Sequence, residues 1–563
     1  MSIDPVTLEI LRNKFDMVCQ EMQTVLVRSA QSTIIKEALD ALNALFDTQG
    51  QVISQSISIP CHLGMVIPAV QRILAEFPPH TMQEGDIYTM NDPHDGGTHI
   101  PDVFVVIPVI YRGQTVAVAV CIAHQVDMGG KNYGSKAMDA TEIFQEGFII
   151  PPLKMYDAGK RNDTLFKLLE KNSRIPQMVL NDLQAQIAGC TIGKRRLLAL
   201  FERYGVDTIH EAKDELMAHA ELMTRKAIKE MPEGTYSAVG YVDSDGIELD
   251  KPVKIQIAVT IKGSEMVVDF AGTSPQTKGP INSTIGSTVS AVYYTLRSVT
   301  DPTIPNNAGC FRPIKILTQK GTVVDPLPPS PVNARMPTVC MVGDVMLEAV
   351  AKAVPHRVAA GSSSTCGPGF GGVDPLSGKR FMFMDFVAGG VGARPTKDGI
   401  DSRDSGSGNC HTLSAEMIEM NYPIRVNQFS LWDDSCGSGK YQGGLGTIKA
   451  FEITRGELTL IHQTERQRQG PGGLLGGGTA SRQETHILRR DGGIEPVPSV
   501  AVRTLKAGDR LVLKAPGGGG FGDPRERDSR AVLRDLADHR ISPKFAQEQY
   551  SVVANSPAAE PRK

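Results

Sequence analysis

The 563-residue sequence lacks the marks of several large protein classes. Lys plus Arg number 59 and Asp plus Glu number 62, so a net charge of -3 gives no electrostatic reason to expect a nucleic acid or an anionic membrane as partner. The longest apolar runs, near residues 103–111 and 116–123, are far shorter than the roughly 20 residues that span a bilayer. The start of the chain has no basic segment followed by an apolar stretch, so we expect a cytoplasmic protein.

Paired cysteine motifs are also missing. The nine cysteines are odd in number and scattered, and none forms a Cys-x-x-Cys pair. This spacing indicates neither a zinc ribbon nor a disulfide framework. Cys61 and Cys121 are candidate nucleophiles, but small buried thiols are the commoner outcome and the interpretation we favour.

No phosphate-binding loop stands out. The stretch from Gly189 to Arg195 is one residue short of the P-loop spacing and has Arg where Ser or Thr would hold magnesium. The stretch from Gly437 to Lys440 lacks the leading glycine. The sequence therefore indicates no nucleotide site of its own.

Apolar spacing predicts an α+β chain of several domains, with antiparallel β-rich parts, a central helical block and glycine-rich loops. The helical block covers roughly residues 163–232, and strands with Gly and Pro turns are expected over 44–130. The predicted division is an N-terminal metal-binding α+β domain at 1–235, a glycine-rich β-containing domain at 236–525, and a helical C-terminal tail at 526–563.

Glycine is abundant, at 56 residues, and several glycines stand in clusters such as 389–392 and 476–478. Two interpretations are open. The clusters either supply turns in an irregular β-rich domain or build a close-packed loop interface. We favour turns, because that is what glycine most often provides.

The most informative stretch holds two apolar runs, 103–111 and 115–123, joined by the short turn Arg112-Gly113-Gln114. This pattern predicts a β-hairpin. A turn centred on Gly113 places Tyr111 opposite Thr115.

The same register places Asp102 opposite His124 at the open end of the hairpin. Directly opposed side chains lie about 4.5–5.5 Å apart on one face of a sheet. His99 precedes the first strand by three residues, and Asp127 follows the second strand by the same spacing. His94 and Asp92 lie in the loop before His99.

Two imidazoles and one carboxylate with open positions for water form a ligand set typical of a catalytic metal. Such an ion lowers the pKa of bound water towards about 7. Zinc and manganese are the candidates, because both accept mixed imidazole and carboxylate ligands. The alternative is a simple His–Asp hydrogen bond across the hairpin, which most isolated pairs form.

Several motifs along the chain resemble those of the hydantoinase B/oxoprolinase family. They are Asp4-Pro5-Val6-Thr7-Leu8-Glu9-Ile10, Lys36-Glu37 through Asp40, Ala44-Leu45-Phe46-Asp47, Ile59-Pro60-Cys61-His62-Leu63-Gly64, the stretch from Asn91 to Asp102, Thr141-Glu142-Ile143-Phe144-Gln145-Glu146-Gly147, Asn172-Ser173-Arg174, Asp182-Leu183-Gln184-Ala185-Gln186, Asp269-Phe270-Ala271-Gly272-Thr273-Ser274-Pro275, Asp434-Ser435-Cys436-Gly437-Ser438-Gly439 and Gly519-Gly520-Phe521-Gly522-Asp523-Pro524. They occur in order over nearly the whole chain.

The resemblance implies a subunit of an ATP-dependent enzyme that opens cyclic amides such as hydantoin, 5-oxoproline or a lactam. A partner A-type subunit would bind ATP and phosphorylate the amide oxygen, within a heterotetramer of two copies of each subunit. By resemblance, His99, Asp102 and His124 fall where the family's metal ligands lie, and Asp40 is a further candidate ligand. Asp127, His94 and Asp92 are candidates to relay a proton.

Two departures from the family pattern concern the substrate more than the metal. Many relatives have two histidines where this chain has His124-Gln125, and Arg-Arg-Asp where this chain has Ala38-Leu39-Asp40. Two other interpretations stay open at this point. In the first, the chain is a subunit of an ATP-dependent ketone carboxylase. In the second, it is a non-catalytic scaffold with a structural metal.

Overall fold

A computed structural model describes residues 3–404 and 406–553, and in these residues the chain is a mixed α+β protein, as predicted. The helices are α1 (Pro5–Ser29), α2 (Thr33–Lys36), α3 (Val66–Glu76), α4 (Asp163–Asn172), α5 (Pro176–Tyr204), α6 (Val206–Lys229), α7 (Ile285–Val299), α8 (Met336–Ala351), α9 (Ala415–Asn421), α10 (Ser529–Ala537) and α11 (Pro543–Tyr550). None of these helices is both long and apolar enough to cross a membrane.

Within the described residues, the strands form four sheets. They are β1 (Ala41–Phe46), β2 (Val52–Gln55), β3 (Ile87–Met90), β4 (Asp102–Tyr111), β5 (Gln114–His124), β6 (Leu153–Asp157), β7 (Lys160–Arg161), β8 (Gly234–Val242), β9 (Val253–Lys262), β10 (Glu265–Asp269), β11 (Ile314–Leu317), β12 (Cys366–Val373), β13 (Arg380–Met384), β14 (Ile424–Trp432), β15 (Gly446–Ile453), β16 (Glu457–Thr464), β17 (Glu484–Leu488), β18 (Ile494–Pro496), β19 (Val500–Lys506) and β20 (Arg510–Ala515).

The sheet orders are β2-β1-β5-β4-β3-β6-β7, β11-β10-β9-β8, β13-β12-β16-β19 and β14-β15-β20-β17-β18. β10 and β11 pair in parallel, whereas β9–β10, the pairs among β1–β7 and the pairs among β12–β20 run antiparallel.

The chain divides into two compact units. The first is Met1–Ser237 with Gln256–Val339, and the second is Ala238–Ile255 with Cys340–Lys563. Residues 256–339, which the sequence interpretation assigned to the glycine-rich domain, thus lie with the N-terminal part. Long-range contacts explain this, since the Gly64 N–H donates to Ser290 Oγ at 3.0 Å.

In the described part of the predicted C-terminal tail, α10 and α11 both pack within the second unit, and residues 554–563 lie outside the described residues. Val532, Ala546 and Tyr550 are buried in one apolar cluster with Cys436 and Leu445.

The seven-stranded sheet of the first unit is covered on both faces. On one face, Phe104 and Ile122 share an apolar core with Val70 and other residues of α3. On the other face, Gln186 of α5 lies 3.6 Å from the Cys121 sulfur. Burial on both faces accounts for the continuous apolar runs of β4 and β5, which do not alternate as half-exposed strands do.

The β4–β5 hairpin confirms the predicted strands, but its turn is one residue shorter than predicted. Tyr111 pairs with Gln114, not with Thr115, and the register shifts between Val109 and Ile110. Arg112 and Gly113 both have positive φ, at 51° and 80°, as a two-residue hairpin turn of the primed type requires. The β5 bulge adds one residue to that strand, which restores the predicted register from Val109 back to Asp102.

The glycine clusters of the second unit serve close approach of backbones more than turns, which corrects the favoured interpretation. We call the segments 389–392, 437–444, 472–478 and 517–520 the glycine mesh. A Cβ on Gly443 would lie 1.8 Å from Gly518 O, and one on Gly390 would lie 2.1 Å from Gly444 O. Backbone hydrogen bonds hold these segments together, such as Gly518 N–H to Gly444 O at 2.8 Å.

The hairpin turn makes a testable prediction. A Cβ at Gly113 meets no atom within 4 Å, so only the positive φ opposes a side chain there. We expect Gly113→Val to lower the free energy of unfolding by about 1–2 kcal/mol, because left-handed backbone is costly for branched residues. Gly113→Asn, which tolerates this region, should cost clearly less. Urea unfolding followed by circular dichroism measures both, and equal losses would contradict the turn assignment.

Candidate metal centre

Three polar side chains meet at the ends of three neighbouring strands of the seven-stranded sheet, β1, β5 and β4. Asp102 is the first residue of β4 and pairs directly with His124, the last residue of β5, which confirms the predicted juxtaposition. Ala41 of β1 pairs with Ala123, so Asp40 lies beside His124 from the other neighbouring strand. The central position of β5 therefore gathers Asp40, His124 and Asp102.

His99 completes a compact cluster with the hairpin pair. Its Nε2 lies 3.1 Å from Asp102 Oδ1, and His124 Nδ1 lies 3.6 Å from the same oxygen. The two imidazole rings are 4.9 Å apart at an angle of 54°. Each of the three residues is buried, and each offers a ligand atom within 4.8 Å of those of the other two.

The second carboxylate oxygen of Asp102 is held by groups outside the hairpin. Arg335 donates to Oδ2 at 2.8 Å, and the Thr98 hydroxyl donates to the same oxygen. Burial alone would favour the neutral acid. The interactions with the His99 ring and with the Arg335 guanidinium outweigh burial and hold the pKa of Asp102 well below its usual range. Asp102 is therefore an ionised acceptor at neutral pH.

The far side of the His99 ring is oriented by Asn333. Asn333 Oδ1 lies 3.3 Å from His99 Nδ1, and the Asn333 amide donates in turn to the Ser135 carbonyl. This contact leaves Nε2 facing Asp102. Burial and the charge of Arg335 lower the pKa of His99 well below its usual value, so the ring is neutral at physiological pH.

Asp40 links the cluster to a further histidine, His62. Asp40 Oδ2 lies 3.7 Å from His124 Nδ1, and Oδ1 lies 3.5 Å from His62 Nε2. Burial lowers the pKa of His62, and the Asp40 carboxylate offsets only part of this effect.

These protonation states suit a cation. Metal ligands must be neutral imidazoles and ionised carboxylates, and His99 and Asp102 are in those states near neutral pH. The residues thus fit a divalent ion in the donor atoms they offer, in their spacing and in their charge.

The three candidate proton-relay residues lie apart from this cluster. Asp127 is buried and accepts the Arg174 N–H at 2.6 Å, and burial raises its pKa. His94 Nε2 lies 2.9 Å from the Ser330 carbonyl, and Asp92 accepts the His94 N–H at 3.0 Å. Across the part of the chain that the structure describes, no direct hydrogen bond or ion pair joins them to the cluster, and their relay role stays a prediction.

The two candidate nucleophilic cysteines are both buried thiols. Cys121 points towards α5, where Gln186 Nε2 lies 3.6 Å from its sulfur. This placement agrees with the favoured interpretation of small buried side chains.

Comparison with known proteins identifies the family. The model of the hydantoinase B/oxoprolinase family matches residues 4–524. The chain belongs to this family.

Hydantoinase B relatives match the chain along its length. The putative B-type subunit of a D-/L-hydantoinase from Pseudomonas sp. (strain NS671) is 35% identical, over 98% of this chain and 95% of that protein. The beta subunit of the caprolactamase of Pseudomonas jessenii is 31% identical, over 98% of this chain and 96% of its own. The crystal structure of the ATP-dependent caprolactamase from Pseudomonas jessenii matches with a TM-score of 0.91 at 30% identity, covering 100% of this chain and 98% of that chain.

Sequence reasoning on this hydantoinase B chain missed three residues around the cluster. His62 stands in the motif Ile59-Pro60-Cys61-His62-Leu63-Gly64, so the resemblance held a signal for it. Arg335 and Asn333 had none, because they meet Asp102 and His99 across 233 and 234 positions of sequence.

The charge balance at Asp102 makes a second prediction. Asp102→Asn removes the carboxylate that neutralises Arg335, whose side chain is only 4% exposed. A buried charge left without its partner costs about 3–5 kcal/mol, and we expect a loss of that size in unfolding free energy.

The control is Asp95→Asn, whose carboxylate is 41% exposed and pairs with Arg72 at 2.8 Å. That exposed pair should contribute about 1 kcal/mol or less. Chemical denaturation of both variants compares them, and similar losses would contradict the role given to Asp102.

Proposed function

We propose that this chain is the metal-dependent subunit of an ATP-dependent cyclic amide hydrolase. It would act on an intermediate phosphorylated by a partner A-type subunit. The observation that supports this most strongly is the buried cluster of His99, Asp102 and His124, in which two imidazoles face an ionised carboxylate.

The proposed ligands are His99, Asp102 and His124, with Asp40, the residue before β1, as a further ligand. A divalent ion such as zinc or manganese supplies a Lewis acid that polarises a carbonyl or phosphoryl oxygen and lowers the pKa of bound water. The protein holds the donors rigidly, because two of them belong to paired strands and His99 is oriented by Asn333.

The proposed reaction consumes one ATP and two waters for each ring. One water oxygen becomes bonded to the amide carbon, the ring C–N bond breaks, and the nitrogen leaves as an amine. The other water accounts for the conversion of ATP to ADP and phosphate. Phosphorylation of the amide oxygen makes the otherwise stable amide carbon a better electrophile.

In this proposal, the ATP binds to a partner subunit. The sequence has no credible phosphate loop, and two relatives are named as subunits, one of a hydantoinase and one of a caprolactamase. We propose an A-type ATP-binding partner and a heterotetramer with two copies of each chain.

Metal content tests the proposed ligands directly. We expect the purified chain, freed of metal by a chelator and reloaded, to retain about one zinc or manganese ion. His124→Ala should lower metal affinity by at least about a hundredfold, because loss of an outer-shell partner alone costs about tenfold to a hundredfold and here a direct ligand is lost. His80→Ala is the control, since His80 lies on an exposed turn and should leave the affinity unchanged. Elemental analysis after equilibrium dialysis measures this, and equal retention by both variants would exclude His124 as a ligand.

The division of labour between subunits makes a further prediction. In the complete complex, His124→Ala should abolish ring opening but retain some substrate-stimulated ATP hydrolysis, because phosphorylation takes place on the partner. Product analysis and ADP release, with lactams and hydantoins as substrates, are measured with and without bicarbonate. Normal ring opening by this variant in metal-free buffer would contradict a catalytic metal and favour the non-catalytic scaffold. Bicarbonate-dependent turnover of ketones would instead indicate a carboxylase.

A further inference from the structure

Three lysines are buried in the described part of the chain, and two of them have a carboxylate partner. Lys213 Nζ lies 3.0 Å from Asp47 Oδ2, and Lys449 Nζ lies 2.6 Å from Asp385 Oδ2. Lys136 is 4% exposed, yet among the described residues no carboxylate oxygen lies within 4 Å of its Nζ. An ammonium withdrawn from water without a paired charge is costly, so this position needs an explanation.

Lys136 lies next to the groups that orient the metal cluster. The preceding carbonyl, that of Ser135, accepts the Asn333 amide, and Asn333 contacts His99 at 3.3 Å. Arg335, Asp40, Asp102 and Glu146 all act electrostatically on Lys136. Lys136 therefore belongs to the electrostatic environment of the cluster, although it is none of its proposed ligands.

A second buried group near Lys136, Glu146, has one carboxyl oxygen without a hydrogen-bond partner among the described residues. Glu146 Oε1 accepts the N–H groups of Val332 and Asn333 at 3.0 and 2.8 Å. Its other oxygen, Oε2, is buried and has no hydrogen-bond partner in the described residues. Burial raises the pKa of Glu146 to about 8, so it is mostly a neutral acid that can donate a hydrogen bond. Glu146 is thus hydrogen-bonded to the backbone that carries Asn333. It acts on Lys136 electrostatically but forms no direct ion pair with it.

The charges around the cluster leave room for an anion. Asp40 and Asp102 contribute two negative charges, and Arg335 and Lys136 contribute two positive charges, which cancel. A divalent ion, as in the proposed function, then leaves an excess of two positive charges. A phosphate monoester carries close to two negative charges at neutral pH and has three strong acceptor oxygens. An ammonium group is a common partner for such a group.

We infer that Lys136 binds the phosphoryl group of the activated substrate beside the His99–Asp102–His124 cluster. This inference rests on the proposed function, because the phosphorylated intermediate comes from there. It assigns a substrate-binding role to a residue outside the ligand set and explains why Lys136 is buried without a carboxylate. Burial, followed by the charge of Arg335, lowers the pKa of Lys136 to about 8, which still leaves mostly the ammonium form at pH 7.

Calorimetric titration with inorganic phosphate tests this binding on the purified full chain, with and without its divalent ion. We expect Lys136→Gln to weaken phosphate binding at least about tenfold, the effect of losing one charge-assisted hydrogen bond. Lys136→Arg keeps the charge and should stay within about threefold of the native chain. The control is Lys131→Gln, the same change at an exposed lysine that pairs with Asp139 at 2.7 Å, and it should have no effect.

Metal content and thermal unfolding of each variant are measured alongside. Unchanged phosphate affinity in folded, metal-loaded Lys136→Gln would overturn the inference. So would the failure of the native metal-loaded chain to bind phosphate at all, a result that needs no variant. Phosphate binding that depends on Lys136 in a native chain that takes up no divalent ion would support the inference while contradicting the metal centre, so the two proposals fail separately.

A second arm uses the complete complex and separates bound intermediate from released phosphate. We expect Lys136→Gln to lower product formation at least about tenfold while substrate-stimulated ATP hydrolysis continues. If Lys136→Gln loses phosphate binding but opens rings with unchanged kcat and KM, the site holds only released phosphate. That result would overturn the assignment to the activated substrate.

Discussion

The metal cluster of the first unit depends on the contacts that the buried Asp102 carboxylate makes. One of its oxygens faces His99 and His124, and the other accepts from Arg335, 233 positions further along the chain. Because the group is withdrawn from water, each of these contacts is stronger than it would be at the surface. Asp102 thereby links the end of the β4–β5 hairpin to the distant segment that carries Arg335. Its negative charge also acts on the ionisable groups around it.

The seven-stranded sheet gives this carboxylate a fixed position. Helices cover both faces, so β4 and β5 cannot slip by one residue without exchanging which side chains meet α3 and which meet α5. Asp40, His124 and Asp102 therefore keep their places through backbone pairing, whereas Asn333 orients the ring of His99 from outside the sheet. A site built from strand ends in this way is ordered before any ligand arrives.

Much of this arrangement could be predicted from local sequence. The lengths of the two apolar runs were enough to place Asp102 opposite His124, even though the predicted turn was one residue too long. The β5 bulge compensated for that error. The helix α3 was missed, although Val66, Ala69, Val70 and Ile73 have helical spacing, because it lies between apolar segments that were interpreted as strands. Arg335 and Asn333 could not be predicted, since only the folded chain brings them to the cluster.

The glycine mesh limits how the second unit can change by mutation. A single-base change at a glycine codon that yields another amino acid always introduces at least a Cβ, and at Gly390, Gly443 or Gly519 that atom would meet a carbonyl oxygen at 2.1 Å or less. Such clashes are with backbone and cannot be relieved by a side-chain rotation. Most substitutions in the glycine mesh are therefore expected to be deleterious. Tolerated substitutions in this unit should fall mainly on residues outside the mesh.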